Sequence, residues 1–324
     1  MTKILVLGGA GYIGSHCCKA LAASGFEPVV YDNLSTGHRS FVQWGSLIEG
    51  DIRDRDRVSA VLADVRPVAV MHFAALALVG PSMSDPASYY DVNVVGTLRL
   101  LEAMLATGIE YLVFSSTCAV YGEPDATPLT ENMACRPVNP YGASKVACEA
   151  MMDDFDKAHG IRSVRLRYFN AAGADPDGQI GERHDPETHL VPLVIEAALG
   201  RRPKLEVFGS DYRTPDGTAV RDYVHVADIA SAHVAALNFL LEGGETQAIN
   251  LGTGQGTSVA EVINEVEAST GLTVPRILAP RRAGDPATLV AEPTKARSLL
   301  GWKAEKDLSH IVRDAYEWHR QQNV

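Results

Sequence analysis

The chain has 324 residues, 46% hydrophobic and 21% charged, a composition that argues against intrinsic disorder and a length beyond which one hydrophobic core stops growing, so two lobes sharing one sheet or two domains are expected. A formal net charge of -11 argues against a general affinity for nucleic-acid phosphates. Five cysteines with no C-x-x-C pair exclude a disulfide framework and the common zinc spacings, and neither a signal-peptide pattern nor an apolar run of ~18 residues occurs, so no membrane partner and a cytoplasmic address are expected.

Ile4-Leu5-Val6-Leu7 reads as a parallel strand buried on both faces, followed at once by Gly8-Gly9-Ala10-Gly11-Tyr12-Ile13-Gly14 and a helical stretch to Ser24. In the order strand, turn, helix, glycines let backbone N–H groups reach a pyrophosphate at the helix N-terminus, which makes Gly8, Gly11 and Gly14 candidate cofactor residues. Pro28-Val29-Val30-Tyr31 is the second strand, and Asp32 ends it. A carboxylate there accepts bonds from the adenosine ribose and repels a 2′-phosphate, favouring NAD over NADP, and Arg39, seven residues further on, is too far along to be assumed a phosphate clamp. The third strand ends near Gly50-Asp51-Ile52-Arg53, where Asp51 and Ile52 either meet the adenine or form a plain loop.

A helix from roughly Asp56 to Ala63 leads to a fourth strand, Val68 to Phe73, which delivers Ala74 and Ala75 to the carboxyl edge of the sheet, where ligands of such sheets bind. His72 inside it reads as a core histidine. The stretch from Tyr89 to Ala106 has helical spacing with Val92, Val95, Leu98, Leu101 and Leu105 on one side, and Asn93 near its start either faces the cofactor or serves as a cap. A fifth strand, Tyr111 to Ser116, brings the Thr117 hydroxyl to the same edge.

After a loop rich in Pro, Thr, Glu and Asn, Asn139-Pro140-Tyr141-Gly142-Ala143-Ser144-Lys145 opens a helix, with Asn139 as N-cap and Pro140 at the first position. Tyr141 and Lys145 then share one face at i and i+4. A free Tyr titrates near ~10, and an ammonium beside it favours phenolate, so the pair is a candidate base; the alternative is a solvated surface pair. A sixth strand, Ser163 to Arg167, completes an α/β doubly wound parallel sheet. Beyond Gly173 the alternation stops, which divides the chain into 1–173, with a strand returning near 220–252, and a smaller C-terminal lobe, 174–324. There His184 and His189 flank Asp185-Pro186-Glu187-Thr188 on a loop; this H-x4-H lacks a third ligand, so no metal centre is expected.

Gly8-x-x-Gly11-x-x-Gly14, Asp32, Thr117 and Tyr141-x-x-x-Lys145 together resemble the extended short-chain dehydrogenase/reductases. Asp32-Asn33-Leu34, Gly50-Asp51-Ile52-Arg53, His72-Phe73-Ala74, Arg167-Tyr168-Phe169-Asn170, Arg221-Asp222-Tyr223-Val224-His225 and Ala279-Pro280-Arg281-Arg282 make the chain similar, within that group, to the UDP-glucose 4-epimerase family. The resemblance implies interconversion of UDP-glucose and UDP-galactose by transient oxidation at C4, with Tyr141 as base, Thr117 bonding the same oxygen, and Lys145 holding the ribose and lowering the Tyr141 pKa. It implies that Tyr12, Ile13, Asp32, Asn33, Asp51, Ile52, Phe73, Ala74, Ala75, Asn93, Lys145 and Tyr168 touch NAD. It likewise implies that Asn170, Leu190, Phe208, Arg221, Tyr223, Arg282 and Asp285 hold the UDP-sugar, and that the protein is a homodimer.

Two positions depart from that pattern: Ala77 stands where many such epimerases carry Lys, and Leu289 where some bacterial members carry a Tyr that closes the sugar pocket. Leu289 is expected beside the sugar's C2 substituent. A UDP-xylose/UDP-arabinose 4-epimerase is the alternative within the class. A nucleotide-sugar 4,6-dehydratase would need an Asp-Glu pair after the Thr, where Cys118 and Ala119 stand, and a silent NAD-binding regulator would not need Tyr141, Lys145 and Thr117 together.

Overall fold

The computed structural model describes residues 1–282 and 285–322. Strands Thr2–Leu7 (β1), Phe26–Asp32 (β2), Ser46–Glu49 (β3), Ala69–His72 (β4), Tyr111–Thr117 (β5), Arg162–Tyr168 (β6) and Gln247–Leu251 (β7) form one parallel sheet in the order β7-β6-β5-β4-β1-β2-β3. The chain direction across the sheet reverses between β1 and β4, and the crevice at the carboxyl ends of those strands is where ligands of such sheets bind.

The apolar runs alternate between two cores, as strand geometry requires. Ile4, Val6, Val30 and Met71 face one side, packed under helices Tyr12–Ala23 and Val226–Leu241. Leu5, Leu7, Val29 and Val70 face the other, under helices Arg55–Val65, Gly96–Thr107 and Pro140–His159. A third core, including Val194, Ile195, Val262, Val266, Ile311 and Val312, holds together helices Leu190–Ala198, Val259–Thr270 and Leu308–Gln321.

The returning strand is Gln247–Leu251 alone, with Leu251 opposite Tyr168. Tyr223–His225 pairs instead with Asn170–Ala172, and Val220–Arg221 pairs with Thr288–Leu289 and Thr257–Ser258. These short pairings stand between the sheet and the third core, and they carry Asn170, Arg221, Tyr223 and Leu289.

The expected helix from Tyr89 to Ala106 is three segments: α-helix Pro86–Tyr89, a π-helical stretch Tyr90–Val95, and α-helix Gly96–Thr107. The wide turn changes which face meets the core. Asn93, Thr97, Leu100, Leu101 and Met104 are buried, whereas Val95 and Leu105 of the apolar stripe are 37% and 44% exposed. Among the described residues, no helix is long and apolar enough to cross a membrane.

Candidate active site

The helix that opens at Pro140 starts where the sequence places it. The Asn139 side chain accepts the Gly142 N–H at 2.8 Å, and Pro140 takes the first position, where no N–H is needed. Gly142 is required there: a Cβ would stand 2.6 Å from the Ala119 carbonyl oxygen, so the helix start lies directly against the residues that follow Thr117. Tyr141 and Thr117 are thereby brought together. Burial pushes the Tyr141 phenol up to about 12, and the Thr117 hydroxyl beside it pulls the other way.

Lys145 is 2% exposed and donates to the Ser115 carbonyl at 2.8 Å, with its ammonium over the Phe114 ring. Burial lowers it to about 8, which leaves it mostly charged at neutral pH. Burial is the largest influence on the Tyr141 phenol, and the Lys145 ammonium donates to the Ser115 carbonyl of β5. Asn93 uses its whole amide within the protein: Oδ1 accepts the Leu76 N–H at 2.8 Å, while Nδ2 donates to the Leu76 carbonyl at 3.0 Å and to Ser144 Oγ at 2.9 Å. It ties the loop after β4 to the helix of Tyr141.

The glycine turn is built for close approach. Gly8 has φ +78, and a Cβ there would meet Ala74 N at 2.5 Å, while a Cβ at Gly14 would meet the Gly8 carbonyl oxygen at 2.2 Å. Gly11 is the residue on which the Tyr12–Ala23 helix opens. The Asp32 carboxylate accepts the Ala10 N–H at 3.0 Å and the Leu34 N–H at 2.8 Å, fixing it at the end of β2 beside this turn. Asp51 is held by Arg53 and by Asn33, whose Nδ2 donates at 3.1 Å. Arg39 pairs with Glu49.

The other expected cofactor residues take the following places. Ile52 is buried against Gly96, Ile13 packs on the sheet, Phe73 stacks near His233, and Ala75 is half-buried. The Tyr12 hydroxyl donates to the Gly173 carbonyl at 2.6 Å, and the Tyr168 hydroxyl meets Ser115. Backbone that comes this close to a helix N-terminus, with a carboxylate at the end of β2, fits a dinucleotide.

Arg221 forms an ion pair with Asp285 and lies opposite Leu289 in a parallel pairing. Tyr223 is buried next to Asn170, whose N–H donates to the Asp222 carbonyl at 2.9 Å. The Arg282 guanidinium sits 3.9 Å over the Phe208 ring, Leu190 opens its helix, and a cavity of about 440 Å³ is lined by Glu123, Tyr212, Arg281, Arg282 and Asp285. Arg281 and Arg282 line this cavity, and Arg221 is linked to it through Asp285; guanidinium groups so placed suit a diphosphate.

Residues 4–252 match the model of the NAD dependent epimerase/dehydratase family. The chain is 57% identical to the UDP-glucose 4-epimerase of Rhizobium meliloti strain 1021, over 99% of this chain and 98% of the relative. The chain belongs to the NAD dependent epimerase/dehydratase family. Among solved structures, it is similar to a UDP-glucose 4-epimerase from Brucella ovis in complex with NAD, with 52% identity, TM-score 0.96 and 98% of each chain covered. It is also similar to a UDP-glucose 4-epimerase from Stenotrophomonas maltophila with bound NAD and formylated UDP-arabinopyranose, with 42% identity, TM-score 0.96 and coverage of 99% of this chain and 98% of that one.

This member of the family also uses residues that sequence reasoning left without a role. Glu149, two helical turns past Tyr141, accepts from Arg167 and from Ser116, the residue before Thr117. The buried Asp222 carboxylate accepts the Thr253 N–H and hydroxyl at 2.8 and 2.7 Å, the Gly254 N–H at 3.0 Å and the Ala291 N–H at 3.2 Å, which holds Arg221 and Tyr223 in place on either side. Arg221-Asp222-Tyr223 was legible as a motif, but the role of its central residue needed the three-dimensional neighbours.

Proposed function

We propose that the chain interconverts UDP-glucose and UDP-galactose as an NAD-dependent isomerase. The observation that carries this reading is the Tyr141 phenol beside the Thr117 hydroxyl at the carboxyl end of β5, followed by Cys118 and Ala119 where a dehydratase needs an acid and a base. Burial pushes the Cys118 thiol up to about 12, so it does not replace that acid-base pair.

In this reading Tyr141, as phenolate, takes the proton of the sugar 4-hydroxyl, and Thr117 bonds the same oxygen and positions it. Lys145 lends its positive charge to the same wall and bonds the cofactor ribose. Gly8, Gly11 and Gly14 would hold NAD, with Asp32 on its ribose, and the cofactor would supply the hydride acceptor for C4 and the donor that returns hydride to either face of the 4-keto sugar. Arg221 and Arg282 clamp the UDP diphosphate, Asn170, Leu190, Phe208, Tyr223 and Asp285 complete its site, and Leu289 borders the sugar. In this reading residues 1–173, together with the returning strand Gln247–Leu251, carry the cofactor side, and the rest of 174–324 the substrate side.

A homodimer, and a cytoplasmic address compatible with five free cysteines, complete the reading. Incubating purified protein separately with UDP-galactose, UDP-glucose, UDP-N-acetylgalactosamine and UDP-arabinose, then resolving the products, tests it. Conversion at C4 of the hexose pair supports it, and loss of water from the substrate refutes it.

A further inference from the structure

The loop between Gly173 and the Leu190–Ala198 helix gathers four ligand-type side chains that the proposed reaction does not use. Glu182, His184, Glu187 and His189 each present one donor atom, and all four atoms lie within 4.8 Å of one another. The two histidines stood out in the sequence as a pair without a third ligand; the fold supplies two carboxylates.

The imidazole nitrogens and carboxylate oxygens stand close enough together to share one ion. His189 Nδ1 is 2.9 Å from Glu182 Oε1 and 2.9 Å from Glu187 Oε1, and His184 Nδ1 is 3.4 Å from Glu182 Oε1 and 3.6 Å from Glu187 Oε2. Four donors at ~2.0–2.1 Å from one tetrahedral ion stand roughly 3.3 Å apart; the His–Glu separations, which involve both Glu187 oxygens, run from 2.9 to 3.6 Å, and one donor atom from each residue lies within 4.8 Å of the others. The Glu182 side chain is 3% exposed and that of Glu187 8%, so two carboxylates are withdrawn from water at one point. Such a pair needs positive charge. His184 Nδ1 is buried and has no hydrogen-bond partner, although it faces both carboxylates.

We propose that Glu182, His184, Glu187 and His189 form a structural site for one first-row divalent cation, best matched by Zn²⁺. Two imidazole nitrogens and two carboxylate oxygens are a donor set that this ion accepts, and one divalent charge balances both carboxylates. The site joins three elements. The Glu182 carbonyl accepts Trp318 Nε1–H at 3.0 Å, the Tyr12 ring packs edge-on 6.3 Å from the His184 ring, and His189 precedes the helix that opens at Leu190. A bound cation therefore fixes the loop between Gly173 and Leu190 against Tyr12, beside the glycine turn.

The rival occupant is a pair of protons. Burial works against charged imidazoles here, yet the facing carboxylates push His184 up to about 9 and His189 up to about 10. To distinguish the two, full-length protein is loaded with Zn²⁺, freed of excess metal and assayed by elemental analysis, with thermal unfolding followed with added Zn²⁺ and with chelator. The expected result is about one Zn²⁺ per chain and a melting temperature that rises with Zn²⁺ and falls on chelation, as for a site whose binding energy is folding energy. His189→Ala should lose both the metal and the response, and Glu187→Gln, which keeps the side-chain shape should the first variant fold poorly, should do the same. Tyr141→Phe should keep both. A native protein that holds no Zn²⁺ and shows no thermal response, or Zn²⁺ retained equally by both ligand variants, overturns the proposal.

Discussion

Arg167 Nε donates to Glu149 Oε1 at 3.0 Å inside the protein, and both side chains are only 7% exposed. Ser116 donates to the same carboxylate at 2.6 Å, and Arg167 donates to the Tyr121 hydroxyl at 2.9 Å, which in turn donates to Asn250 at 2.7 Å. One buried network thus binds the helix of Tyr141 and Lys145 to β5, β6 and β7.

Removing one partner leaves the other charge buried and unpaired, so Glu149→Ala should cost ~3–5 kcal/mol in urea unfolding. Glu149→Leu combined with Arg167→Met should recover most of that loss. A single variant with native stability would show that the pair does not hold the helix.

Asp32 should decide the cofactor. Protein stripped of nucleotide and reconstituted should regain activity with NAD and little with NADP, because the carboxylate beside Ala10 repels a 2′-phosphate and Arg39 is engaged by Glu49. Asp32→Ser should narrow the preference by roughly tenfold or more, about 1.4 kcal/mol. Equal activity with both cofactors in the native protein would contradict this.

The phenol gives a pH prediction with a definite sign. Burial raises Tyr141 from 10.0 to about 12, so the unfolded chain releases this proton first, and the stability contributed by the group falls as pH rises from 10 to 12. Difference titration of nucleotide-free native protein against Tyr141→Phe should place the phenol near 12. Adding oxidised NAD should lower it through the ring's positive charge. Thr117→Val removes a group that favours phenolate, so the acid limb of its kcat/KM profile should move to higher pH. An unmoved limb would take Thr117 out of this role.

Leu289 should set the tolerance for a C2 substituent. It is half-buried against the Val120, Tyr121 and Phe169 cluster and pairs with Arg221, which puts it beside the proposed diphosphate clamp. Native protein should prefer UDP-glucose and UDP-galactose over the N-acetylated pair by ~10–200-fold in kcat/KM, and Leu289→Gly should shrink that ratio. A native preference for N-acetyl sugars would remove Leu289 as the gate.

Much of the sheet was legible because Ile4-Leu5-Val6-Leu7 and its counterparts are apolar on both faces, and the glycine turn, Asp32 and the Asn139-Pro140 helix start each depend on local chemistry. What stayed hidden depends on neighbours distant in sequence. Val92, Val95, Leu98, Leu101 and Leu105 form a regular stripe, yet the π-turn at Tyr90–Val95 gives the core to Asn93, Thr97 and Met104. Lys145 has the right spacing to reach Tyr141 but is held by the Ser115 carbonyl, a partner that strand order alone determines. Glu149 looks like any helical carboxylate until Arg167 stands opposite it.

The most direct test of the central claim is turnover by Tyr141→Phe with UDP-galactose, alongside calorimetric binding of UDP. Only the phenolic oxygen is lost, so turnover should fall by ~10²–10⁴-fold while UDP affinity and the bound NAD content stay near native. Near-native turnover in this variant would contradict the assignment of Tyr141 as the base.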